Sequence, residues 1–115
     1  MPINEWSDSI VIAELSDEPS LSEDLDALLR TLDEASGPLP DIVVNGQSVT
    51  YVNSSNVAQL IKLNKKVTGA GARLRLCALS DKVWSVLLVT GLDKIFQVHG
   101  DVATAIASLQ IMPAE

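Results

Sequence analysis

Aromatic residues are scarce in this chain, with one Phe, one Tyr and two Trp in 115 residues. A core built from it must be aliphatic. The single cysteine, Cys77, excludes an internal disulfide, and its place in the apolar run "LRLCAL" reads as an inert buried thiol. The single histidine, His99, excludes a metal site built from several histidines. Positive charge is also short: 8 Lys and Arg against 15 Asp and Glu leave a net charge of −7, so there is no basic face for a phosphate backbone. Nucleic acid is therefore excluded as a partner. No apolar run approaches the roughly 18 residues of a membrane span, and the start "MPINEWSD" lacks the basic and apolar zones of a signal peptide. The expectation is a cytoplasmic protein with no direct membrane insertion.

Phosphate-loop chemistry is missing as well. The stretch "GAGAR", residues 69–73, follows a helical pattern and precedes a strand, the reverse of the order that cradles phosphate, and reads as a turn. The carboxylates gather in "DEPSLSEDLD" and along the first helix, where a solvated face accounts for them. Cys77 and His99 have no evident third partner, so nucleophilic catalysis has weak support. The chain is expected to be no enzyme and to need no cofactor or metal.

What is present is apolar residues in quantity, 47% of the chain, enough to bury roughly two thirds of the unfolded surface in one domain over residues 1–115. Residues 9–15, "SIVIAEL", are β-branched and nearly continuous in apolar character, as in a strand covered on both faces. After the turn "SDEP", Ser20 and Glu23 have capping-box spacing, and Leu25, Leu28, Leu29 and Leu32 make one helical stripe that ends before Gly37 and Pro38. "DIVVNG" and "VTYV" are β-rich pieces broken at Gly46, either one bent strand or a strand that loosens midway. Val57, Leu60, Ile61 and Val67 line a second helix, with Gly69 placed to end it.

"ARLRLCAL" alternates Leu74, Leu76 and Ala78 against Arg73, Arg75 and Cys77, a strand with one wetter face. Ser80 caps a third helix carrying Val83, Trp84, Leu87 and Leu88, closed by Gly91. "KIFQVH" reads as the last strand, and Asp101 as the cap of a final helix that buries Ala105, Ile106 and Leu109. The order β-α-β-α-β-α-β-α predicts an α/β fold with a four- to five-stranded, mostly parallel (mixed) sheet and about four helices.

Four small polar residues, Asn53, Ser54, Ser55 and Asn56, stand where the second helix begins. Considered alone, Ser54 or Ser55 is the helix cap, a role worth about 1 kcal/mol. The surrounding stretch carries more than that. "VTYVNSSNVAQLIKLNKKV" resembles the STAS domain pattern of a β-rich piece, Asp-Ser-Ser-Gly and an amphipathic helix. "GARLRLCALSDKVWSVLLVTGLDKIFQV" is similar to that family's later half, including a Ser-x-x-Val helix start and a Thr-Gly-Leu-Asp turn. The likeness runs from residue 10 to residue 109. The family's first short strand is expected to be missing, because only nine residues precede "IVIAEL".

The resemblance implies a protein-binding module of the anti-sigma-factor antagonist type, whose partner is both an anti-sigma factor and a serine kinase. It implies phosphorylation at Ser54 and partner contact through Asn53, Ser54, Ser55 and Asn56, with the protein acting as a monomer. The alternative within the family is a subunit bound to a transporter ATPase or a signalling scaffold without phosphorylation. Asn53 stands in place of the family aspartate and Asn56 in place of its glycine, while Asn45 replaces an aspartate common in the preceding strand. Asn53 keeps a hydrogen-bonding oxygen and loses the charge. Asn56 is expected to add bulk where a kinase backbone approaches.

Overall fold

The computed structural model describes residues 3–111. Five strands form one sheet in the order β1-β2-β3-β4-β5. They are β1 (Ile3–Glu5), β2 (Ile10–Ser16), β3 (Asp41–Ser48), β4 (Leu74–Cys77) and β5 (Gln97–His99). The first strand pairs antiparallel with β2, and every later pair is parallel. Three crossovers, α1 (Ser20–Glu34), α2 (Ser54–Gly69) and α3 (Asp81–Thr90), join successive parallel strands, and α4 (Val102–Ile111) closes the described chain. This is the α/β arrangement that the alternating element pattern predicts.

The sheet separates two apolar layers. Leu21, Leu25, Leu28 and Leu32 of α1, Leu60, Leu63 and Val67 of α2, and Val83 and Leu87 of α3 pack with Ile42, Val44, Leu74 and Leu76 on one face. On the other, Ala105, Ile106 and Leu109 of α4 meet Ile10, Val43 and Cys77. Period-2 alternation sends Val43 one way and Ile42 and Val44 the other, and all three are buried, so β3 is covered on both faces. In β2 the cover is less complete: Ile10, Ala13 and Leu15 are buried while Glu14 is exposed.

Several expectations need correction. The first short strand is present: Ile3 to Glu5 pair with Ala13 to Val11, and the N–H groups of Trp6 and Ser7 donate to Ile10 O at 3.0 and 3.2 Å to close the turn. Three residues suffice because the partner strand is already fixed by the parallel sheet. At α1 the capping box fails, since Ser20 is already helical and the cap residue is Pro19, which has no side-chain acceptor; the first-turn N–H of Ser22 is taken by Glu18 instead. "VTYV" is not a strand; β3 loosens after Ser48. On α2 the fully buried apolar residues are Leu60, Leu63 and Val67, with Val57 and Ile61 only partly covered. Gly69 is the last residue of α2, and the left-handed turn after it falls at Gly71, φ +82°.

On α3, Val83 and Leu87 are buried, Trp84 is partly covered and Leu88 is 48% exposed, because a ten-residue helix on a sheet buries one narrow stripe. The last strand is only Gln97–His99, with Leu92–Lys94 forming a 3-10 turn before it. The supposedly wet face of β4 is roofed by α4: Arg73 Nη2 donates to Leu109 O at 3.0 Å and Arg75 Nε to Ser108 Oγ at 3.1 Å. Arg73 also pairs with Asp41 on β3 at 3.0 Å. The alternation was real, and polar contacts with a covering helix produced it.

Candidate functional site: the start of the second helix

Two loops at the carboxyl ends of β2 and β3 build the site together. Beyond Ser48, Val49 and Val52 are buried while Thr50 and Tyr51 are exposed, so the segment is pinned by alternate side chains. Asp17, in the loop between β2 and α1, grips it. Its carboxylate accepts from Thr50 N–H at 2.8 Å and from the Thr50 hydroxyl at 2.7 Å. Hydrogen bonds to the charged form favour that form, and the Thr50 hydroxyl, then its N–H, hold the Asp17 carboxyl below its ordinary value.

The helix that follows is capped by an asparagine and not by a serine. Asn53 Oδ1 accepts from Asn56 N–H at 2.8 Å, and Asn56 Oδ1 accepts from Asn53 N–H at 3.0 Å. This reciprocal pair is a capping box made from two amides. It consumes the donors of the cap and of the third helical residue, so the N–H groups of Ser54 and Ser55 remain at the positive end of the helix. Both serines are exposed, and neither hydroxyl has a hydrogen-bond partner among the described residues. The expectation that Ser54 or Ser55 caps the helix is corrected: the cap is Asn53.

Asn56 also reaches across to α1. Its Nδ2 group donates toward Glu18 Oε2 at 3.2 Å, Ser22 Oγ at 3.3 Å and Gln59 Oε1 at 3.3 Å. Gln59 Nε2 continues the network to Ser22 O at 3.0 Å and Asp26 Oδ1 at 2.8 Å. Glu18 in turn accepts from Ser22 N–H at 2.8 Å and from the Ser22 hydroxyl. These bonds lower the Glu18 carboxyl, those from the Ser22 hydroxyl and N–H most, with Asn56 and Asn53 adding less. The loop carrying Asp17 and Glu18 thus holds the α2 start at two points.

The four residues named from the sequence divide accordingly. Ser54 and Ser55 are exposed, Asn53 is half-buried, and Asn56 is 0% exposed. The bulk expected of Asn56 does not project outward, because its amide fills space between α1 and α2. Below it lies a small apolar cavity of about 30 Å³, walled by residues that include Val52, Leu60, Leu76 and Leu79. Asp17, Glu18, Ser22 and Gln59 went unnamed in the sequence. The only signal was the acidic turn "SDEP", whose partners lie 33 to 38 residues further on.

The remaining chemical candidates stay apart from this site. Cys77 is fully buried, its thiol donates to Val44 O at 3.5 Å, and burial first, then the Asp101 charge, pushes it up to about 11. A thiol so placed is a poor nucleophile at neutral pH. His99 lies at the end of β5, one position past the register partner of Leu76. Among the described residues no group of three or more His, Cys, Asp or Glu side chains is placed to hold a metal ion.

Comparison with known proteins now bears on the junction. The family model described as the STAS domain matches residues 7–105. The chain belongs to the STAS domain family. No curated protein sequence matches it. Solved STAS structures do. The anti-sigma factor antagonist SpoIIAA, in its unphosphorylated form, is 14% identical over 96% of each chain with a TM-score of 0.77, and a Bacillus SpoIIAA in the phosphorylated form also matches, 15% identical over 91% of this chain and 95% of its own, with a TM-score of 0.69. An RsbS variant of Moorella thermoacetica is 17% identical over 97% of this chain and 98% of its own, with a TM-score of 0.74. A sulfate transporter family protein of Wolinella succinogenes is 16% identical over 94% of this chain and 90% of its own, with a TM-score of 0.77. Identities this low speak for the STAS fold and not for a role or a particular partner. Among the described residues no helix is long and apolar enough to cross a membrane.

Proposed function

We propose that this STAS domain is a cytoplasmic regulatory module of the anti-sigma-factor antagonist type. It acts as a single domain and a monomer, and it docks on a protein partner that is both anti-sigma factor and serine kinase. Ser54 and Ser55 form the centre of the docking surface, Tyr51, 57% exposed, supplies an apolar rim, and Asn53 and Asn56 hold the backbone beneath. Phosphorylation of Ser54 releases the partner.

The observation that carries this reading is the division of labour at the helix start. Because Asn53 does the capping, the Ser54 hydroxyl is left exposed and free of any internal role. A phosphate there adds about 1.5 to 2 negative charges beside the helix N-terminus, which accommodates them, and near Glu18, which does not. The fold survives while the surface presented to a partner changes from a small neutral hydroxyl to a strongly hydrated dianion.

The test is capture of a partner from the lysate of the organism that makes the protein, with and without ATP, using wild type, Ser54→Ala and Ser54→Asp as baits. A kinase-like protein held by wild type and Ser54→Ala, lost by Ser54→Asp and lost by wild type on ATP addition with phosphate mapped to Ser54, supports the switch. Binding weakened less than tenfold by Ser54→Asp, a change under about 1.4 kcal/mol, would overturn it. The likeness to a sulfate transporter family protein favours one second reading, docking on a transporter ATPase or scaffold without phosphorylation. Under that reading the captured partner is such a protein and ATP leaves Ser54 unmodified.

A further inference from the structure

The two faces of the sheet are covered unequally. Helices α1, α2 and α3 share one face, whereas α4 is the one helix on the other among the described residues, and it packs against β3, β4 and β5. Strands lie roughly 4.8 Å apart, so five of them span about 19 Å, while packed helices sit roughly 8–10 Å apart. One helix position beside α4, over β1 and β2, is therefore open among the described residues. Register and period-2 alternation place Asn4, Trp6, Ile12 and Glu14 on that side of the strands: Asn4 is opposite Ile12, and its Nδ2 group donates to Glu14 Oε2 at 2.8 Å. Trp6 is 47% exposed there, and Ile12 is only half-buried.

The open position is a groove of about 520 Å³, to which Trp6 and Ile12 contribute from the sheet and Ala103, Ile106, Ala107 and Gln110 from α4. Its lining is apolar, and its charge has one sign. Helix α4, "VATAIASLQI", carries no charged residue. The charges that border the groove are Glu14 on β2 and Asp101, which precedes α4 and caps it by accepting from Thr104 N–H at 2.7 Å. No Lys or Arg occurs in residues 3–16 or 100–111. The two arginines on the same face of β4, Arg73 and Arg75, are engaged by Asp41, Leu109 O and Ser108 Oγ, and neither lines the groove. An apolar channel one helix wide fits the helix-in-groove mode of recognition, and its carboxylate rim selects basic flanks on the helix that enters. A second copy of this chain would bring together two molecules of net charge −7, and an anionic lipid surface would be repelled in the same way.

We propose that this groove receives one amphipathic helix of a partner protein, with aliphatic residues at i, i+3, i+4 and i+7 toward the groove and Lys or Arg on its flanks. About 10 to 14 residues suffice, because that length spans roughly 15–21 Å and matches the ten residues of α4 alongside. The aliphatic side chains lie on Trp6, Ile12 and Ile106, and the basic ones reach Glu14 and Asp101. The surface is on the opposite face of the sheet from α2, so it is separate from the surface around Ser54 and does not rest on the reading given for that serine.

The probe is a synthetic peptide of about 14 residues, acetylated and amidated, with Leu on one helical face and Lys on the other, titrated into the full chain labelled with ¹⁵N. Expected are saturable shifts in the amides of Trp6, Ile12, Ala103, Ala107 and Gln110. Binding should be weaker by at least about tenfold for a control peptide with Gln in place of Leu, and likewise for one with Glu in place of Lys. Ala103→Arg, which puts a long basic side chain into the groove, and Trp6→Ser, which removes an apolar wall, should each weaken the Leu/Lys peptide by at least about tenfold. Ala103 is exposed, so its variant covers the case of a misfolded Trp6 variant. No saturation up to about 1 mM peptide, or unchanged affinity in Ala103→Arg, would overturn the proposal. Equal binding of the Gln control would show counterion binding to the acidic surface and overturn it too. Shifts of the same amides on diluting the chain alone would assign the groove to a second copy, and shifts with phosphatidylcholine vesicles in place of peptide would assign it to a lipid surface; either result also overturns it.

Discussion

Replacing Asn56 with alanine removes the one fully buried polar side chain among the described residues, and the size of the loss follows from its contacts. Its carbonyl oxygen accepts one hydrogen bond from Asn53 N–H. Its two N–H hydrogens are shared among Glu18, Ser22 and Gln59 at 3.2 to 3.3 Å, so they count as two bonds and not three. Three bonds at about 1 kcal/mol each give about 3 kcal/mol. Alanine returns roughly 0.5 kcal/mol through its better helix propensity. The emptied space joins the apolar cavity of about 30 Å³ beneath, so collapse offers little relief. The expected loss is about 2.5 kcal/mol, read from urea unfolding as a lower midpoint with an unchanged slope. A double-mutant cycle with Gln59→Ala should show coupling above about 0.5 kcal/mol, since the two amides touch. A loss below about 0.5 kcal/mol in Asn56→Ala would refute the claim that this network ties α2 to α1.

Two further outcomes come from the same junction. Asn53→Ala should cost about 1 to 2 kcal/mol of stability, whereas Ser54→Ala stays within about 0.5 kcal/mol of wild type; the reverse order would make a serine the cap. Asp17 and Glu18 have lowered carboxyl values, so the stability they lend is present above the ordinary carboxylate range and lost as pH falls through their lower folded values. In an acid titration followed by NMR, the movement of the Thr50 and Ser22 amides should therefore be centred below the ordinary values of Asp17 and Glu18 respectively, with Asp17→Asn abolishing the movement at Thr50. Movement centred at or above the ordinary carboxylate values, 3.8 for Asp17 and 4.5 for Glu18, would show that the carboxylates are not held.

Much of the fold was legible because periodicity reports burial. The leucine stripe of α1, the alternation of β4 and the caps Ser80 and Asp101 all follow from contacts within one element. What failed was decided between elements. The charged side of β4 reads as wet until α4 supplies acceptors at Leu109 O and Ser108 Oγ. Serine outranks nothing at the head of α2 once Asn56 is buried, because an amide there can close a reciprocal box and donate to α1 as well. That preference depends on Glu18 arriving from a loop 38 residues earlier, which no local pattern encodes. Likewise Gly46 looks like a strand breaker in sequence, but its β3 backbone simply runs close to Leu79, where an added Cβ would meet Cδ2 at 2.8 Å.

The two asparagines make sense together as a relocation of charge. The family pattern that this stretch resembles puts an aspartate before the serine, which would cap α2 and carry a negative charge on the helix itself. Here the cap is neutral, and the carboxylate beside the helix start is Glu18, contributed by the loop ahead of α1 and joined to the cap through Asn56. A helix N-terminus is favoured by nearby negative charge from whichever element supplies it. Mechanical coupling is what changes. With an aspartate on α2 the charge would move with its helix, whereas here it is held by Ser22 on α1, so a displacement of α1 withdraws it. A dianion on Ser54 would repel Glu18, and the strain would pass along the Ser22 and Gln59 bonds into α1. In this chain the start of α2 is therefore a contact between two helices, and its surface state is set by both.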